Sequence, residues 1–266
     1  SGIAYNQIRA TLKENNLNTV CEKAKCPNIA ECYGRGTATF LIMGDVCTRE
    51  CLYCNIRTGT PEGLDRLEPE KIAVAVNRLS LNYAVITSVT RDDLPDFGAE
   101  HFYNTVTEIR KHRPECKVEI LTPEFKGNVK LLDRVLASTP YIFNHNIETV
   151  RDLFPYVRPD GNYNLSLKIL EHAGNFLPYI KSGLMIGLGE AKDQIRETLH
   201  DLSRAGVAIL TIGQYLQPGA GLSEVKKYYT IQEFNDLKEE ALEMGFSHVF
   251  SGPLVRSSYH AEDVAA

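Results

Sequence analysis

Six of the seven cysteines in this chain fall between residues 21 and 54, in two triplets. Cys47, Cys51 and Cys54 have the spacing C-x3-C-x2-C, and Cys21, Cys26 and Cys32 have C-x4-C-x5-C. Thiolates are soft ligands that suit iron–sulfur clusters and zinc. Three of them on one loop can take three corners of a [4Fe–4S] cube and leave the fourth iron open to a small molecule. A structural zinc site would want a fourth Cys or His at knuckle spacing, and none lies near the second triplet. The odd count and the crowding make a poor disulfide framework for a chain of 266 residues. The first triplet also lacks a local fourth ligand. Cys116 is the remaining thiol, but beside His112, Arg113, Glu115 and Lys117 it reads better as a small side chain at a core edge.

The elements that must carry these loops are legible as a repeat. Six short, largely apolar runs stand out: Thr39–Met43, Tyr83–Ser88, Lys117–Leu121, Tyr141–Asn146, Ile180–Ile186 and Ala208–Leu216. Unbroken apolar runs of this length are expected of strands covered on both faces. Segments with helical spacing lie between them: Ile72/Val76/Leu79, Phe102/Val106/Ile109, Val129/Leu132/Val135, Leu165/Leu167/Leu170, Ile195/Leu199/Leu202 and Phe234/Leu237/Leu242. Strand–helix alternation implies an α/β fold with parallel strands and right-handed crossovers, either an open doubly wound sheet or a partial barrel. Functional residues are then expected at the C-terminal strand ends. The second triplet falls just after the first strand. Polar residues gather at other strand ends too: Thr87, Ser88, Arg91, Asp92 and Asp93; His145, Asn146 and Glu148; Glu190; Gln217. Loops begin there in any protein, which accounts for part of that clustering.

A formal net charge of −5, with 43% hydrophobic and 24% charged residues, fits a soluble globular protein and argues against a nucleic-acid surface. No apolar run is long enough to span a membrane. The start lacks the pattern of a signal peptide. Ser1-Gly2 reads as a cloning remnant, which leaves room for a native N-terminal extension or transit segment; cytoplasm is the default expectation, with an organelle the alternative where a presequence has been removed. The expected organisation is an N-terminal extension over 1–36 carrying the first triplet, a main domain over 37–250 and a tail over 251–266.

The second triplet resembles the signature of the radical S-adenosylmethionine superfamily, C-x3-C-x-aromatic-C, with Tyr53 in the aromatic place. That resemblance implies a partial (β/α)6 TIM-like barrel. It also implies a cluster whose open iron binds the amino and carboxylate groups of S-adenosylmethionine. Reductive cleavage of the sulfonium would give a radical that removes hydrogen from an unreactive carbon. The loop that holds the cofactor's amino group often reads Gly-Gly-Glu. Here its place is taken by Thr87 to Asp93, leaving Thr87, Ser88 and Asp92 as acceptors. The stretch from Gly183 to Glu190 is similar to the superfamily's G-x-I-x-G-x-x-E strand beside the adenine, with Met185 in place of Ile; a buried strand with a tight turn would also want those glycines. Asn55, Asn146, Glu148, Arg158 and Lys181 are further expected cofactor contacts near strand ends.

The two triplets together, with Arg256-Ser257-Ser258-Tyr259 in the tail, resemble the lipoyl synthase family. Asn144 to Thr149 and Gln214 to Pro218 resemble its internal segments, so the likeness runs along nearly the whole chain. It implies two [4Fe–4S] clusters. The first triplet would hold an auxiliary cluster with a tail serine as fourth ligand, Ser257 first and Ser258 as second choice. An alkoxide is a harder and poorer match for iron than thiolate, so that bond should be the weakest of the four. The implied reaction is radical insertion of two sulfur atoms, taken from the auxiliary cluster, at C6 and C8 of a protein-bound octanoyl chain. Implied partners are octanoylated lipoyl carrier domains (2-oxoacid dehydrogenase E2 or glycine cleavage H protein), a donor such as ferredoxin or flavodoxin, and a cluster-repair protein, with the chain itself a monomer. Biotin synthase and methylthio-transferring enzymes are the nearest alternatives, and neither carries this pair of motifs. A two-cluster electron carrier and a zinc-stabilised binding module are alternatives from other classes.

Overall fold

The structure, a computed structural model, describes residues 3–24, 26–35, 37–258 and 262–263. The chain forms two compact units. One comprises 1–49, 55–141 and 258–266, and the other 50–54 and 142–257. Tyr259 of the tail motif lies outside the described residues, as do Ser1 and Gly2.

In chain order the first unit holds α1 (Ile3–Glu14), β1 (Asn18–Thr19), α2 (Val20–Lys23), α3 (Ile29–Gly34), β2 (Thr39–Ile42), β3 (Val46–Cys47), β4 (Arg57–Thr58), α4 (Glu68–Arg78), β5 (Tyr83–Ser88), α5 (Ala99–His112), β6 (Lys117–Leu121) and α6 (Val129–Leu136). Strand β2 pairs antiparallel with β1 and parallel with β5, which pairs parallel with β6. The short strands β3 and β4 pair parallel with each other. All of β2 is buried, and β5 is buried up to Ser88, as their apolar runs require. Helix α5 buries Phe102, Val106 and Ile109 on one stripe, and α4 buries Ile72 and Val76.

The second unit holds β7 (Ile142–Asn144), α7 (Phe154–Val157), α8 (Tyr163–Gly174), β8 (Ile180–Ile186), α9 (Lys192–Arg204), β9 (Ile209–Gln214), α10 (Ile231–Glu243) and β10 (His248–Gly252). Its strands are parallel in the order β7-β8-β9-β10. The six expected strands are present as β2, β5, β6, β7, β8 and β9, and the α/β class with a largely parallel sheet holds.

Three details differ from the expectation. Strand β10 is a further parallel strand that was not expected, and it runs across the expected boundary between the main domain and the tail at 250/251. Helix α8 buries Tyr163, Ser166, Ile169, Leu170 and Ala173. Leu165 and Leu167 flank that stripe on opposite sides and are only half-buried. Val129 and Leu242 are exposed, because α6 buries Leu132, Val135 and Leu136, and α10 buries Phe234, Leu237 and Ala241. No helix among the described residues is long and apolar enough to cross a membrane.

Candidate functional site

None of the seven cysteines is joined in a disulfide, which removes the disulfide reading. In the first unit, Thr19 caps α2 by accepting a hydrogen bond from the Glu22 amide, which places buried Cys21 in the first turn. The Cys26 amide donates to the Cys21 carbonyl at 3.0 Å, and the Cys32 amide donates to Asn28 at 2.9 Å. Burial pushes the Cys32 thiol up to about 12, and the nearby Cys21 and Cys26 sulfurs push the same way. Negative charge on one of these thiols thus disfavours it on the others, and a bound cation would relieve that. Burial also raises the Cys21 thiol, against hydrogen bonds from the Thr39 backbone and side chain. Thr39 in turn donates from Oγ1 to the Ser258 hydroxyl at 2.8 Å. Ser258 is therefore one hydrogen bond from the residue that contacts Cys21.

Cys47 ends β3. Its sulfur accepts from the Arg49 amide at 3.4 Å and the Thr90 amide at 3.3 Å. The following loop is tied to the one after β5. The Thr48 amide and hydroxyl both donate to Thr90 O, and the Asp92 amide donates back to Thr48 Oγ1. Arg49, buried to 4% exposure, bonds Asp92 through Nε and Nη2 and Glu124 through Nη1. Burial opposes its charge, yet the two carboxylates hold the guanidinium above its usual range.

Among the cofactor contacts expected in this unit, Thr87 donates to Leu121 O at 3.0 Å and Asn55 donates to Lys23 O at 3.3 Å. Asp92 is engaged by Arg49. The Ser88 hydroxyl is buried without a hydrogen-bond partner, a polar atom of the kind that an ammonium ligand would satisfy.

The second unit gathers most of the remaining expected contacts. Asn146 donates from Nδ2 to Glu148 Oε1 at 3.2 Å. Burial pushes the Glu148 carboxyl up, against Arg158 and hydrogen bonds from Asn146 and Tyr53. Burial likewise raises the Tyr53 hydroxyl, with Glu148 and Cys51 adding to it. Glu148 has φ of 68°, a strained left-handed backbone. Its amide and carbonyl bond Gly183 O and the Met185 amide, extending β7 past its end. A side chain at Gly183 would meet Asn146 Oδ1 at 2.7 Å and Thr211 Oγ1 at 2.8 Å, so glycine is needed there. Met185 and Tyr53 pack against the cluster of Val157, Leu188 and Tyr215. Lys181 is buried on β8. Glu190 holds the turn after β8, accepting from the Gly187 and Leu188 amides and from the Tyr229 hydroxyl. Ser257 accepts from Asn144 Nδ2 and donates to Asn146 Oδ1, both at 2.9 Å.

Sequence reasoning missed Arg49, Glu124, Thr39 and Asn144. Arg49 alone carried a signal, a charged residue inside a thiol loop. Among the described residues no three His, Cys, Asp or Glu side chains are close enough to share one ion. A cube needs no such convergence, because each thiolate binds its own iron.

Residues 41–202 match the Radical SAM superfamily. Solved structures share the fold. The FeFe-hydrogenase maturase HydG from Carboxydothermus hydrogenoformans has a TM-score of 0.57 at 14% identity, over 98% of this chain and 76% of that one. Streptococcus suis SuiB bound to S-adenosylmethionine has a TM-score of 0.58 at 12% identity, over 84% and 53%. Among curated relatives, a lipoyl synthase of Rubrobacter xylanophilus is 52% identical over 98% of this chain and 82% of its own. One from Roseiflexus is 49% identical over 98% and 87%. One from Xanthomonas oryzae is 49% identical over 100% and 80%. The chain belongs to the lipoyl synthase family within the Radical SAM superfamily.

Proposed function

We propose that this chain is a radical sulfurtransferase that inserts two sulfur atoms at C6 and C8 of a protein-bound octanoyl chain, giving the lipoyl group. The observation that carries the reading is the pair of thiol triplets with the Ser257–Ser258 tail, in a chain 52% identical to a relative named lipoyl synthase.

When bound, a [4Fe–4S] cluster with S-adenosylmethionine would supply hydrogen abstraction from unactivated carbon, and an auxiliary cluster would supply the sulfur. The residues fit these groups. Cys47, Cys51 and Cys54 are the ligands for the first, and their spacing, that of the family, supports this. Ser88, with its unsatisfied hydroxyl, and Thr87 take the cofactor's amino end. Tyr53, Asn146, Glu148, Arg158 and Met185, gathered in one unit, are its other contacts.

Cys21, Cys26 and Cys32 hold the auxiliary cluster on the 1–36 extension, and Ser257 of the 251–266 tail supplies the fourth ligand. The bond from Thr39 to Ser258 supports this, since it fixes the neighbour of Ser257 beside a contact of Cys21. The rest of the protein excludes water and aligns the octanoyl carbons. The substrate is carried on lipoyl carrier domains, an external donor supplies electrons, a repair protein rebuilds the cluster, and the setting is cytoplasmic.

Anaerobic protein should contain about eight irons with matching sulfide. With S-adenosylmethionine, reductant and an octanoylated carrier peptide it should yield a product carrying two sulfurs. About one zinc and no sulfide would sink the reading.

A further inference from the structure

Two of the residues inside the second thiol loop that carry no thiol tie it to neighbouring loops. Thr48 and Arg49 zip the loop to residues 90–92 through three backbone and hydroxyl bonds of 3.0–3.1 Å and an ion pair. Arg49 also reaches Glu124, beyond β6, through a buried ion pair. From the same loop after β5, buried Arg91 donates to Met43 O at 3.2 Å, where the chain leaves β2. The segment from Met43 to Arg49 is thus gripped at both ends. The grip is placed to orient Cys47, because the two amides that point at its sulfur are those of Arg49 and Thr90. Buried charge pairs hold their geometry strongly, since losing one partner leaves the other uncompensated. Ligands already ordered do not have to be ordered when metal binds.

We propose that Arg49 is a positioning residue for Cys47, its pairs with Asp92 and Glu124 holding the loop in its iron-binding shape before iron arrives. This rests on the reading of Cys47 as a cluster ligand. Amide hydrogen bonds to cluster sulfur raise the reduction potential, so the same latch should also set the potential of the cluster.

The test uses the full chain in four variants: Arg49→Met, Arg49→Lys, Asp92→Asn and Glu124→Gln. The last two preserve side-chain volume, should the first fail to fold. In iron-free protein, amide exchange over residues 47–49 should speed up about tenfold or more in Arg49→Met and Asp92→Asn, with Arg49→Lys between these and wild type. On reconstitution, iron affinity of the second triplet should fall ~10- to 100-fold. The cluster that does form should have a lower potential and a weakened EPR response to S-adenosylmethionine. A merely stabilising role would lower the melting temperature and leave potential and EPR unmoved. Wild-type exchange, potential and EPR in every folded variant would overturn the proposal alone. A Cys47→Ala chain that keeps the S-adenosylmethionine-responsive cluster would overturn both the proposal and the functional reading beneath it.

Discussion

Asp92 closes both carboxylate oxygens on the Arg49 guanidinium, at 2.7 and 3.0 Å. A bidentate pair of this kind is directional and strong, and Lys126 Nζ lies 3.9 Å from the same carboxylate, so Asp92 already faces two cations of the protein. Among the residues expected at the cofactor's amino group, Ser88 differs, because its hydroxyl is buried without a partner.

Ser88→Ala should therefore act in opposite directions on stability and on binding. Without cofactor, removing an unsatisfied buried hydroxyl should leave unfolding free energy unchanged or raise it by about 1 kcal/mol. Affinity for S-adenosylmethionine should fall about tenfold, or ~1.4 kcal/mol. Denaturant unfolding and calorimetric titration of cluster-loaded protein read the two effects separately. A variant that is both less stable and unchanged in affinity would remove Ser88 from the cofactor's surroundings.

The two tail serines are separable by their partners. Ser257→Ala gives up bonds to Asn144 and Asn146, and Ser258→Ala gives up one from Thr39. Both should cost about 1–3 kcal/mol in stability, so stability does not distinguish them. Sulfur insertion should distinguish them. Ser257→Ala should still cleave S-adenosylmethionine but form no two-sulfur product, and Ser258→Ala should form it. Product mass beside 5′-deoxyadenosine yield reads both steps. The reverse pattern would move the ligand role to Ser258.

A pH prediction follows from the start of α10. Thr230 and Glu233 form a capping box, and Lys227 bonds the Glu233 carboxylate at 2.6 Å. The Lys227 hydrogen bond, with those from Thr230, holds Glu233 down to about 2. A carboxyl depressed in the fold stabilises it above its unfolded value and loses that effect as pH falls through the folded value. Glu233→Gln should thus melt lower than wild type at pH 7, and the gap should close between about pH 4.5 and 2. A gap independent of pH would mean that the cap acts by shape alone.

Short-range patterns made much of the fold legible. The apolar runs of β2, β5 and β9 could only be buried strands, and the thiol spacing and Tyr53 are a local signature. What escaped was weakly patterned or distant in sequence. Strand β10 is half-buried along most of its length, so its composition did not separate it from a tail. Arg49 meets Asp92 across 43 residues, and Ser257 meets Asn146 across 111. Nothing in either segment announces its partner. Asp92 reads in sequence as a free acceptor at a strand end, and only the fold shows that a buried arginine occupies it.

The tail's approach to β9 makes the last prediction. Gly213 on β9 pairs with Gly252 on β10. After Gly252 the chain turns, with the Val255 amide bonding the Gly252 carbonyl at 3.1 Å. The Val255 carbonyl then lies so close over Gly213 that a methyl group there would collide with it. Arg256 donates to that same carbonyl at 2.7 Å, and the next residue is Ser257. Backbone cannot yield as a flexible side chain can, so Gly213→Ala should push Val255 off the sheet and carry Ser257 away from Asn144 and Asn146. The stability cost should be about 1–3 kcal/mol, typical of overpacking. Sulfur insertion should fall at least about tenfold while S-adenosylmethionine cleavage persists, because the thiol loop is untouched. Gly174→Ala, in α8 with only an ordinary contact to Ile180 at 3.8 Å, is the control and should change neither activity. Equal loss of cleavage and insertion in Gly213→Ala would mean that the substitution disturbs the whole unit rather than the course of the tail.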